Sequence, residues 1–150
     1  MTSHSDIFVL CDRVRQTSYD LHVYHGNGHL EKVYENALVH RLRKQGLEVE
    51  QQKPLKVFDE DGTLLGEYFA DLFVDGRLII ELKACRALAD EHTAQILGYL
   101  KSSRVEHRLL INFGSQKFQI QKFILSQPGS HSAAGSILSA LFAFLAFFRG

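Results

Sequence analysis

The chain has 150 residues, 45% of them hydrophobic and 23% charged, which is the length and composition of one ordinary globular domain. Seventeen Lys and Arg balance seventeen Asp and Glu. No global basic field therefore draws the chain onto nucleic acid, and any such binding must come from a local patch. Two cysteines distant in sequence, Cys11 and Cys85, read as reduced thiols of an intracellular, cytoplasmic protein. The opening MTSHSDIFVLCDR has neither the basic n-region nor the long apolar h-region of a secretory signal.

In chain order, Ile7, Leu10, Cys11, Val14 and Leu21 predict a helix from 5 to about 25, with Ser5 or Asp6 as its N-cap. Gly26-Asn27-Gly28 ends it. A second helix is expected from about 29 to 45. Leu30, Val33, Tyr34, Ala37, Leu38 and Leu42 line one face, and Gly46 suits the position just past its end. LEVEQ (47–51) alternates as a strand does, Pro54 interrupts it, and LKVFD (55–59) resumes extended. LLGEYFADLFV (64–74) and RLIIELKA (77–84) flank Asp75-Gly76, a hairpin signal. A third helix from 89 to about 102 should turn Ala94, Leu97, Tyr99 and Leu100 inward. RLLINF (108–113) reads as a fully buried strand, and KFQIQKFIL (117–125) as a last extended piece.

Residues 1–125 are thus expected to form the folded domain. A Ser/Gly-rich linker follows over 126–136, then an apolar run, ILSALFAFLAFF (137–148). That run falls short of the about 20 residues that span a bilayer, so no stable membrane span is expected.

RLIIELKA places Glu81 and Lys83 in the middle of strand-like sequence, where opposite charges cost stability unless they are used. A two-residue loop, Asp75-Gly76, would mix apolar and charged groups on both faces of the hairpin. A three-residue loop, Val74-Asp75-Gly76, gathers Ala70, Leu72, Leu78, Ile80 and Leu82 on one apolar face and Asp71, Glu81 and Lys83 on the other. Burial selects the second register. It makes Asp71 and Glu81 diagonal neighbours whose carboxylates can converge on one cation. Two carboxylates suit a hard divalent ion such as Mg²⁺, which can polarise a phosphoryl oxygen and acidify a water. Lys83 could hold that water or offset developing charge. The plain alternative is a surface Glu–Lys pair of little energetic weight.

Asp71, then Glu81-Leu82-Lys83 on the following strand, resembles the signature of the PD-(D/E)XK nuclease superfamily. Gly28, Glu31 and Tyr34 resemble the hallmark of its GxxExxY branch. Gln95 and Tyr99 resemble the QxxxY helix motif of recombination and repair exonucleases, and LLINFG (109–114) resembles the branch's last core strand. Ala70-Asp71 stands where many members have Pro-Asp. The resemblance covers roughly 5–125. It implies an α/β, restriction-endonuclease-like core: a central mixed β-sheet flanked by helices, in the order α-β-β-β-α-β. It implies metal-dependent hydrolysis of nucleic acid, most of all DNA, with Mg²⁺ or Mn²⁺. By position, Asp71, Glu81 and the Leu82 carbonyl would be metal ligands, Lys83 the catalytic lysine, and Glu31 a residue completing or orienting the site. Gln95 and Tyr99 would support the site or touch the substrate backbone. A reading of a different class keeps the fold but makes it a catalytically silent binding or assembly module, with a homo-oligomer compatible with the apolar tail.

Other residues have plainer readings. His22, His25 and His29 are separated by glycines, so no single helix presents them to a metal. His92 reads as a helix-start surface residue. Tyr34 should face the core with a hydroxyl that needs a partner. Lys101, Arg104, His107 and Arg108, and separately Lys53 and Lys56, form modest basic clusters that read as solvated surface.

Overall fold

The computed structural model describes residues 4–103 and 105–125. The elements run α1 (His4–His25), α2 (Glu31–Lys44), β1 (Val49–Phe58), β2 (Leu64–Val74), β3 (Leu78–Lys83), α3 (Asp90–Ser103), β4 (His107–Asn112) and β5 (Gln119–Ile124). The strands lie side by side in chain order in one five-stranded mixed sheet; only β3 and β4 pair parallel. A parallel pair needs a crossover, and α3 supplies it. The expected α/β order and mixed sheet are therefore found. The expected linker and apolar run over 126–150 lie outside the described residues. No helix among the described residues is long and apolar enough to cross a membrane.

The sheet is covered on both faces. Helices α1 and α2 bury Ile7, Leu10, Val14, Leu21, Tyr34, Leu38 and Leu42 against Leu72, Val74, Leu78, Ile80, Leu82, Leu109 and Ile111. On the opposite face Ile96 of α3 packs with Leu110 and Phe123. Adjacent β4 residues thus serve opposite layers, which is why all six residues of that strand are buried.

Several details differ from expectation. The first helix begins at His4, so Ser5 and Asp6 are inside it rather than at its cap. On α2, Leu30 is 79% exposed and Val33 43%, while Glu35 is buried. Both stand at the helix start, Leu30 as the N-cap residue and Val33 in the first turn. Its end is as expected: Gly46 takes φ 82°, and the Gly46 and Leu47 N–H groups donate to the Arg43 and Leu42 carbonyls. Pro54 does not break β1. It pairs with Phe69 within a continuous edge strand, where a missing N–H costs no ladder bond. On α3 it is Ile96 that is buried, whereas Ala94 is exposed; the Tyr99 and Leu100 side chains lie outside the described ones. Arg108 and His107 are buried rather than solvated.

The hairpin also turns differently. Asp75 and Gly76 both take positive φ, 49° and 66°, and Arg77 N–H donates to the Val74 carbonyl at 3.1 Å. Pairing starts at Val74–Leu78, so the loop is Asp75-Gly76-Arg77. This register differs from the expected one by two positions, an even shift. Every side chain therefore stays on its expected face: Ala70, Leu72, Leu78, Ile80 and Leu82 are all buried together.

Candidate active site

The β2–β3 ladder pairs Leu72 with Ile80 and goes no further. One step beyond stand Asp71 and Glu81, opposite each other rather than diagonal. The ladder stops because a side chain replaces a backbone partner: Leu82 N–H donates to Asp71 Oδ2 at 2.7 Å. The Asp71 and Glu81 carboxyls are close enough to interact electrostatically. Burial first, and the Asp71 charge second, push Glu81 up to about 8, with the Arg108 guanidinium pulling the other way. Glu81 Oε1 is buried without any hydrogen-bond partner. A desolvated acidic pair with an orphaned oxygen is the arrangement a cation would neutralise.

Glu31 reaches this cluster from the first turn of α2. Its own burial, and then the Asp71 charge, raise its carboxyl above the usual range, while Lys83 and a hydrogen bond from the Ala84 backbone oppose the rise. Glu31, Asp71, Glu81 and Lys83 thus form one electrostatic unit at the end of β3. One of the residues singled out in sequence stands apart. Gln95 is exposed on α3, and no hydrogen bond ties it to the cluster among the described residues. The Tyr99 side chain lies outside the described ones.

The pattern Gly28, Glu31, Tyr34 has a local physical meaning. Gly28 takes φ 122°, a conformation that side chains rarely adopt. Tyr34 is buried and stacks on Phe113 at 4.8 Å between ring centroids. Its hydroxyl donates to the Gly26 carbonyl at 2.6 Å and accepts from His29 N–H at 3.2 Å. The tyrosine therefore locks the loop that delivers Glu31, and its hydroxyl has the partners it needs. The histidines belong to this frame: His22 Nε2 meets the Ser115 carbonyl at 2.9 Å, and the rings of His25, His29 and Tyr34 meet edge to face.

The end of β3 is fixed from β4. Phe113 N–H donates to the Lys83 carbonyl at 2.8 Å. Buried Asn112 accepts from the Cys85 and Gly114 N–H groups and donates to the Cys85 carbonyl. A Cβ on Gly114 would stand 2.3 Å from Ala84 C and Cys85 N. Gly114→Ala is therefore expected to cost about 3 kcal/mol or more, because a clash with main chain cannot be relieved by a rotamer change. Urea unfolding reads it, and a wild-type midpoint would show that the 84–85 segment is not clamped.

Four contributors were not assigned to the site in sequence. Glu35 is buried one helical turn after Glu31, and its Oε1 accepts from Lys32 at 2.8 Å and Gln51 at 3.0 Å. Gln52 links Glu35 to Asp71. Arg108, fully buried, donates to the Ile96 carbonyl and the Tyr68 hydroxyl and faces Glu81. Asn112 holds the loop after Lys83. Only Glu35 had a usable signal, its i+4 spacing from Glu31.

Among the described residues, no three His, Cys, Asp or Glu side chains stand close enough to enclose a metal by themselves. The donor set nevertheless fits Mg²⁺, which is commonly held by one or two carboxylates, with water and substrate phosphate completing its shell.

An acidic pair, Asp71 and Glu81, thus stands where the β2–β3 pairing ends, with Lys83 two residues on. Residues 9–123 match the family model of the PD-(D/E)XK nuclease superfamily, and the chain belongs to that superfamily. Its members are nucleases, hydrolases that act on nucleic acid. No curated protein and no solved structure matches the chain.

Proposed function

We propose that this chain is a divalent-cation-dependent nuclease of the GxxExxY branch, using Mg²⁺ or Mn²⁺ to hydrolyse phosphodiester bonds of DNA. The observation that carries the reading is the Asp71–Glu81 carboxyl pair, with one buried oxygen unpartnered and Lys83 two residues on. The branch is supported by the linked work of Gly28, Glu31 and Tyr34. An intracellular setting is supported by two free cysteines, Cys11 and Cys85. The catalytic unit is residues 1–125, followed in sequence by the Ser/Gly-rich stretch 126–136 and the apolar run 137–148, to which no role is assigned.

Asp71 and Glu81 would hold the cation. The Leu82 carbonyl joins them: in an extended strand the N–H and C=O of one residue point to the same side, and Leu82 N–H points at Asp71. A cation bound there supplies a Lewis acid for a phosphoryl oxygen and lowers the pKa of an adjacent water. The Lys83 ammonium orients the attacking water and offsets the charge that builds on phosphate. Glu31 orients the cluster from the helix side. Gln95 and Tyr99, one helical turn apart on α3, contact the substrate backbone.

Lys83→Ala tests the assignment. It should keep cation affinity within a few-fold and slow cleavage of plasmid and single-stranded DNA by about 100-fold or more. Wild-type cleavage by that variant would remove Lys83 from the mechanism. A wild-type protein that binds Mg²⁺ and nucleic acid but cuts neither DNA nor RNA would establish the silent binding module instead.

A further inference from the structure

Gln52 lies inside β1, between Gln51, which pairs with Leu72, and Lys53, which pairs with Ala70. It is itself skipped in the ladder, and it stands opposite Asp71. Its backbone takes φ 51°, the left-handed region, at a residue that is not glycine. Such a conformation carries a steric cost that glycine would escape. Pro54 does not account for it, since proline restricts only the residue immediately before it, and that residue is Lys53.

The strained backbone secures a bridge. Gln52 Nε2 donates to Glu35 Oε2 at 3.2 Å and to Asp71 Oδ1 at 3.3 Å. Asp71 Oδ2 is already fixed by Leu82 N–H at 2.7 Å. Each Asp71 oxygen thus accepts one donor, leaving lone pairs on both and little freedom for the carboxylate to rotate. The other end of the bridge is rigid. Glu35 is 3% exposed and is held on α2 by Lys32 and Gln51. The amide also sits between two carboxylates that would otherwise repel each other. Donors that orient a metal-facing carboxylate from behind typically change metal affinity by 10–100-fold when removed.

We infer that Gln52 is a positioning residue: with Glu35 as its anchor, it sets the orientation of the Asp71 carboxylate toward the cation, and its left-handed backbone is retained for that purpose. The inference rests on the proposed metal site.

The test uses Gln52→Gly, Gln52→Met, Glu35→Gln and the Gln52→Gly/Glu35→Gln double variant of the full chain. Melting is followed without metal, and Mg²⁺ and Mn²⁺ are titrated calorimetrically. Gln52→Gly should melt at or above the wild-type temperature, because glycine accepts the backbone, yet bind cation about 10-fold or more weakly. Gln52→Met keeps the length and the strain without a donor and should lose the same affinity, so a folding failure of one variant leaves the other decisive. Glu35→Gln should weaken binding, and the double variant should be little worse than the weaker single, since both cut one bridge. Wild-type affinity in Gln52→Gly or Gln52→Met, or additive losses in the double variant, would overturn the positioning role alone. A wild-type protein that takes up no cation would overturn the metal site and the positioning role together.

Discussion

Between pH 5.5 and 8.5 the metal-free protein is expected to lose about 3 kcal/mol of folding stability, and Glu81→Gln is expected to remove most of that loss. The cause is the environment of Glu81. Burial and the neighbouring Asp71 carboxylate raise it from 4.5 to about 8. An acid raised on folding binds its proton more tightly in the native state than in the unfolded one. Below pH 4.5 both states are protonated and folding bears no penalty; as pH climbs toward 8 the unfolded chain releases the proton first, and stability falls. Glu31, also raised, adds a loss of the same sign. Saturating Mg²⁺ should flatten the profile, because a cation stabilises the ionised pair that burial penalises. Urea unfolding at pH 5.5, 7 and 8.5 in the presence of a chelator measures all three effects. A flat wild-type profile would mean that the Asp71–Glu81 pair is well solvated and has no need of a cation.

That prediction depends on a pair already visible in the sequence, and the reason is parity. Only an odd shift in register exchanges the faces of a hairpin. The pairing register was misplaced by two positions, yet Asp71, Glu81 and Lys83 stayed on one face, because Leu72, Leu78, Ile80 and Leu82 demand burial together. The misplacement itself came from the turn: Asp75 as well as Gly76 adopts positive φ, which moves Val74 into the ladder and Arg77 into the loop.

Periodicity failed where polar groups are buried for a purpose. Val33 was placed on the apolar face of α2, whereas the structure exposes it and buries Glu35. No hydropathy pattern carries the information that Lys32, Gln51 and Gln52 would converge on Glu35, because those partners come from two elements. Arg108 was hidden in the same way. Grouped with Lys101, Arg104 and His107 it reads as solvated charge, whereas the Tyr68 hydroxyl and the Ile96 carbonyl receive it inside the fold. Proline at an edge strand looks the same in sequence as proline at a break. The motif residues were legible and their supports were not, since a support is defined by what it touches across the sheet.

The stability of the acidic pair and its proposed chemistry meet in Asp71. It accepts from Leu82 and Gln52, and its charge acts on Glu81. Asp71→Ala removes one of the two carboxylates that face each other across the β2–β3 pairing and leaves Glu81 beside Arg108. Removal of one of two carboxylate ligands should abolish measurable Mg²⁺ binding and lower cleavage by about 1,000-fold or more, the loss expected when the principal source of electrostatic stabilisation is removed. The most direct measurement is calorimetric titration of Mg²⁺ and Mn²⁺ into wild type and Asp71→Ala, followed by plasmid and single-strand cleavage with the same samples. Saturable binding and cleavage in the wild type, both lost in the variant, is the predicted result. A well-folded wild type with no saturable binding would contradict the account and leave the charged face of β2 and β3 without a catalytic purpose.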